Sequence, residues 1–137
     1  MKNLLPVFVI LFFSLLASCG SSDLPGSAWE LVEIEDSDKT VTPESSYLLF
    51  GKDGKFDEVV YFIVQYADFK GTWEVKNDTL KTKHGFWDKG TSYLIVEKTD
   101  KTLKLKEIQD SSSFIKKEKN IKVYKRVSAS KIKKYIN

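Results

Sequence analysis

The chain has 137 residues, enough for one domain, with 22 Lys/Arg against 19 Asp/Glu, one histidine and one cysteine. The lone cysteine excludes an intramolecular disulfide, and a single histidine beside a single cysteine excludes a zinc cluster built on those ligands. No calcium-loop or glycine-rich phosphate-loop spacing occurs, so neither a metal nor a cofactor is expected.

At the N-terminus, Lys2 supplies a positive start and Leu4–Leu16 is an apolar run broken only by Pro6 and Ser14. The run is shorter than the roughly 20 residues a membrane-spanning helix needs. It has the length of a secretory apolar region ahead of a small-residue cleavage site. Leu16-Ala17-Ser18-Cys19, followed by Gly20-Ser21-Ser22, resembles the bacterial lipobox. That resemblance implies a signal peptide over residues 1–18, cleavage before Cys19, and lipidation of Cys19, with the chain held at a membrane of the cell envelope. Gly20 resembles the residue found there in lipoproteins sorted to the outer membrane, and the periplasmic side is expected. The alternative is a secretory peptide cut elsewhere, which leaves a free or dimerising thiol. Residues 19–26 then read as the anchor and a short spacer.

From there, period-two alternation cut by turn dipeptides predicts strands over Ala28–Glu35, Tyr47–Lys52, Lys55–Tyr66, Phe69–Lys76, Thr79–His84, Thr91–Thr99, Thr102–Gln109 and Lys119–Val127. Asp53-Gly54 and Asn77-Asp78 are the sharpest turn signals. In Lys55–Tyr66, the residues Phe56, Val60, Phe62, Val64 and Tyr66 share one face of a continuous strand. No helical pattern long enough for a parallel crossover separates the strands, so the sheet is antiparallel. Eight such strands leave two open edges unless the sheet closes, which predicts an all-β up-and-down barrel over residues 27–127, with a β-sandwich as the alternative. The predicted inward set (Trp29, Phe50, Phe56, Phe62, Phe69, Trp73, Tyr93) is bulky, so a shallow cavity at one end is expected instead of a deep cup. Residues 128–137 form a basic C-terminal tail, in which Ile132, Tyr135 and Ile136 could make the apolar side of a helical turn.

Two segments set a tryptophan shortly after a glycine: Gly26-Ser27-Ala28-Trp29 and Gly71-Thr72-Trp73. With Leu48-Leu49-Phe50, Asp53-Gly54-Lys55-Phe56 and the closing Tyr124-Lys125-Arg126-Val127, they resemble the lipocalin-like domain of small bacterial lipoproteins. The resemblance implies a barrel whose first-strand Trp29 lies under Arg126 from the last strand. Trp29 as plain core and Arg126 as a surface charge is the alternative. The first copy carries one residue more between Gly and Trp than the lipocalin pattern.

No catalytic residues are expected. His84, between Lys83 and Gly85 at a strand end, reads as an exposed side chain, and the Glu33/Glu35 and Asp57/Glu58 pairs read as wet-face or strand-end charges. The leading expectation is a small hydrophobic ligand held at the barrel mouth by Phe62, Tyr66, Phe69, Phe86, Trp87 and Tyr93. The second is a protein-interaction module, such as an inhibitor or partner of another envelope protein, with a filled barrel. The third is a membrane-surface role for the basic end. Residues 116–137 hold nine Lys/Arg against Glu118 alone, whereas residues 19–115 hold 12 Lys/Arg against 18 Asp/Glu. Nucleic acid is not an expected partner for an exported chain.

Overall fold

The computed structural model describes residues 23–35, 40–41, 44–85, 89–108 and 120–136. Alternation of apolar and polar residues commits most of them to strands. In chain order these are β1 (Ser27–Glu35), β2 (Thr40–Val41), β3 (Ser46–Phe50), β4 (Lys55–Phe62), β5 (Gln65–Lys76), β6 (Thr79–His84), β7 (Thr91–Lys98), β8 (Thr102–Glu107) and β9 (Ile121–Val127), followed by helix α1 (Ala129–Lys133). Strands β3 to β9 each pair antiparallel with the next. β1 joins both ends of that series, pairing β3 on one edge and β9 on the other, from Ala28 opposite Val127 to Glu35 opposite Ile121. The two-residue β2 lies beside Ile34 and Glu35, on the edge of β1 that β3 also uses. The result is a closed, eight-stranded antiparallel barrel with β2 as an added short strand. Closure removes the edges that a sandwich would leave.

One predicted strand divides differently. Lys55–Tyr66 is not continuous: a two-residue turn at Ile63-Val64 ends β4 at Phe62 and starts β5 at Gln65, so predicted strand Phe69–Lys76 is the later part of β5. A two-residue turn pairs Phe62 with Gln65 and Tyr61 with Tyr66, which reverses the parity beyond it. Tyr66 therefore faces outward with Tyr61, and not inward with Phe56. The turn places Ile63 at φ 58°, a left-handed conformation that glycine normally takes at this position.

Call the end where the chain enters the lower end; it carries the Gly51–Gly54, Asn77-Asp78 and Asp100-Lys101 turns. The upper end carries the Ile63-Val64 turn, the last residues of β6 and β8 and the first residues of β7 and β9. The lower half is solid. Trp29, Phe50, Phe56, Leu80, Leu103 and Leu105 are each at most 2% exposed, and Leu24, ahead of β1, is tucked in with them. Ser27 fixes this entry: its hydroxyl donates to the Leu24 carbonyl at 2.5 Å and accepts the Trp29 indole N–H at 2.6 Å. Trp73 donates to the Gly51 carbonyl at 3.0 Å and meets Phe50 edge-on.

A second, smaller core lies on the outer wall. Ala28, Tyr47, Val59 and Ile132 are buried there, with Tyr66, Tyr135 and Ile136 packed around them. The segment after β9 is thus part of the folded body: Ile132 is fully buried against the barrel, and Lys131 bonds Glu30 at 2.9 Å. Burial alone would raise the Glu30 carboxyl, but Lys131 and Lys125 outweigh it and hold it below the usual value.

Candidate functional site

Toward the upper end the inward side chains change character. β6 alternates Leu80, Thr82 and His84 on its inner face, and β4 alternates Phe56 and Glu58. His84 Nε2 lies 3.0 Å from Glu58 Oε2, with the two side chains 19% and 25% exposed. This corrects two expectations. His84 is not an exposed strand-end residue, and Glu58 is not a wet-face charge; Asp57, its neighbour, takes the outer face.

Gly71 makes the contact feasible. It sits on β5 between Phe56 of β4 and His84 of β6, its two cross-strand partners. A Cβ at Gly71 would lie 2.0 Å from the Lys83 carbonyl oxygen, so only glycine permits this approach of β6. With no side chain on β5 at that level, the rings of Phe56 and His84 come to 5.8 Å across it, and Phe69 meets His84 edge-on at 6.0 Å. The imidazole leans over the glycine toward a carboxylate two strands away.

Tyr93 and Tyr124 border this pair. Burial pushes the Tyr93 phenol up, and the Glu58 and Glu107 charges push it further, against a hydrogen bond from Thr91 that lowers it. Burial also raises Tyr124, with Tyr93 and Glu58 adding to it. Both phenols stay protonated at neutral pH and can donate. The upper interior thus combines a carboxylate–imidazole pair, neutral hydroxyl groups and aromatic walls. Such a set can hold the polar group of a small molecule while the rings take its apolar part. Among the described residues, no group of three or more His, Cys, Asp or Glu is placed to hold a metal ion.

Of the residues expected to line the mouth, Phe69 and Tyr93 face this region. Phe62 stands at the hairpin tip, 62% exposed. Tyr66 does not line the interior; it stacks on Tyr135 at 3.9 Å on the outer wall, because of the parity reversal at Ile63-Val64. Phe86, Trp87 and Cys19, the residue expected to carry a lipid, lie outside the described residues. At the opposite end, Gly26 adopts φ 74° to turn the chain into β1, and the Arg126 guanidinium sits 5.5 Å from the Trp29 ring centre while reaching the Asp23 and Asp100 carbonyls at 3.4 Å. Glu58, Thr82, His84 and Glu107 were missed as site residues. The signal was available, since His84 continues the Leu80-Thr82 inward parity and Glu58 continues that of Phe56.

No family model matches the chain, and no curated protein matches it. Solved structures do. The chain is similar to an uncharacterized protein from Bacteroides eggerthii, with 17% identity and a TM-score of 0.60 over 77% of this chain and all of that one. It is also similar to a lipocalin-like protein from Bacteroides uniformis, with 12% identity, the same TM-score and the same coverage. At this identity the likeness concerns the fold: the chain is a closed β-barrel with lipocalin-like structural neighbours.

Proposed function

We propose that the chain is a lipid-anchored protein of the cell envelope whose barrel binds a small amphiphilic molecule at its upper end. The observation that carries this reading is the Glu58–His84 pair on the inner face of the barrel, above an apolar lower core. A shielded polar contact is a poor stabiliser: replacing both partners with apolar groups of similar shape can be nearly neutral, whereas removing one partner alone leaves the other unsatisfied. A pair kept toward the upper end, beside Phe69 and Tyr93 and above a solid floor, fits recognition better than it fits packing. The ligand enters head-first, its polar group reaching Glu58 and the Tyr93 hydroxyl and its apolar part lying along Phe69 and the rim. The role is binding, with no covalent step. The tether follows from the lipobox resemblance, and Leu24, close behind Cys19 in sequence, closes the lower end.

Native mass spectrometry of the full chain purified from a bacterial envelope tests the ligand: a bound small molecule in one-to-one ratio is expected, lost in Glu58→Leu/His84→Leu. A protein that emerges empty and takes up no fluorescent amphiphile overturns the reading. For the anchor, incorporation of labelled palmitate is expected in the parent and absent in Cys19→Ser.

A further inference from the structure

The β4–β5 hairpin ends in three consecutive large apolar residues turned to solvent: Phe62, Ile63 and Val64 are 62%, 80% and 79% exposed. Local folding gives no reason for them. The turn needs a positive φ at Ile63, where glycine is the favoured residue and a β-branched one is strained. Apolar side chains there act against both solvation and backbone preference, and such a combination points to a contact outside the chain.

The groups behind the tip show which contact. Tyr61 and Tyr66 pack edge-on at 5.1 Å at its base. Tyr135, just beyond α1, stacks on Tyr66, with the Lys134 ammonium 4.7 Å from its ring centre. Lys131 lies 5.8 Å over the Tyr47 ring. Receding from the tip, the order is apolar side chains, then tyrosines, then lysines. That is the order of depth at a membrane surface: acyl region, aromatic belt, anionic headgroups. A pocket on a protein partner would not require this layering. Asp57 and Asp68 also lie on this wall, with the Lys70 ammonium 3.6 Å from Asp68.

We infer that the Phe62-Ile63-Val64 tip inserts into a lipid bilayer, with the α1 wall of the barrel lying against the headgroups. The tip and α1 then share one membrane-facing side, and the upper end of the barrel lies beside the bilayer. The inference does not depend on ligand binding or on the lipid at Cys19.

The test uses the full chain carrying Cys19→Ser, which leaves a single introduced cysteine for an environment-sensitive nitrobenzoxadiazole label at Ile63→Cys, or at Lys81→Cys on the far outer wall as control. With vesicles of phosphatidylethanolamine and phosphatidylglycerol, the label at 63 is expected to shift to the blue and to be quenched by spin-labelled acyl chains, while the label at 81 keeps its spectrum in water. Adding Phe62→Ser to the 63-labelled chain should remove most of the shift with the melting temperature unchanged. A label at 63 that stays in water, or labels at both sites that respond alike, overturns the inference. So does a blue shift without vesicles accompanied by dimers in sedimentation, which would assign the tip to a second copy of the chain.

Discussion

The lower and upper halves of this barrel are built from the same eight strands with the same alternation, yet they hold opposite contents. Below, Trp29, Phe50, Phe56, Leu80, Leu103 and Leu105 fill the interior and Leu24 stops the end. Above, the inward positions are Glu58 on β4, Thr82 and His84 on β6, Tyr93 on β7 and Glu107 on β8. Period two decides which way a side chain points, and the residue placed there decides whether that position stabilises or recognises. The apolar packing that holds the fold is therefore concentrated in the lower half.

The sharpest way to break that contrast is at the floor. Trp29→Ala, at a fully buried site on the seam strand, should cost about 3–5 kcal/mol by urea unfolding. Gly71→Ala comes next, at about 3 kcal/mol, because its Cβ would collide with the Lys83 carbonyl. The same substitution should weaken uptake of a fluorescent amphiphile, since displacing β6 takes His84 away from Glu58. In the upper half, Glu58→Leu/His84→Leu should leave stability nearly unchanged or slightly raised while abolishing uptake. A large loss of stability there would erase the distinction between the halves.

On the outer wall, burial first and the Asp68 charge second hold Asp57 above the ordinary carboxylate value. Its ionised form is less favourable in the folded chain than in the unfolded one, so Asp57 weakens the fold at neutral pH. That handicap fades as pH falls through its raised value. Asp57→Asn should therefore melt higher than the parent at pH 7, with the two melting curves converging in acid. The smallest effect is expected at Ile63→Gly, within about 0.5 kcal/mol of the parent in urea, because relief of the left-handed backbone offsets the added freedom of glycine in the unfolded chain.

Most of the barrel was legible because strand alternation and the Asp53-Gly54 and Asn77-Asp78 turns are local signals. Asn77 takes φ 56° and Gly54 φ 78°, as their residue types allow. The turn at Ile63-Val64 was not legible, since nothing in Phe-Ile-Val-Gln announces a reversal, and missing it turned Tyr66 to the wrong face. The site was half legible. Phe69 and Tyr93 followed from parity. His84 and Glu58 were discounted because charge usually marks a wet face, and their meeting depends on Gly71, whose effect passes between strands and leaves no periodic trace. The α1 contact was partly visible in the spacing of Ile132, Tyr135 and Ile136.

The pairing of Ala28 with Val127 has a consequence for timing. The first strand made finds its second partner only when the last has been made, so a nascent or C-terminally clipped chain keeps two raw edges, on β1 and on β8, however well the intervening hairpins have formed. Such a chain is slow to settle and open to strand exchange with its neighbours. The handful of residues after Lys119 thus act as the latch on everything synthesised before them.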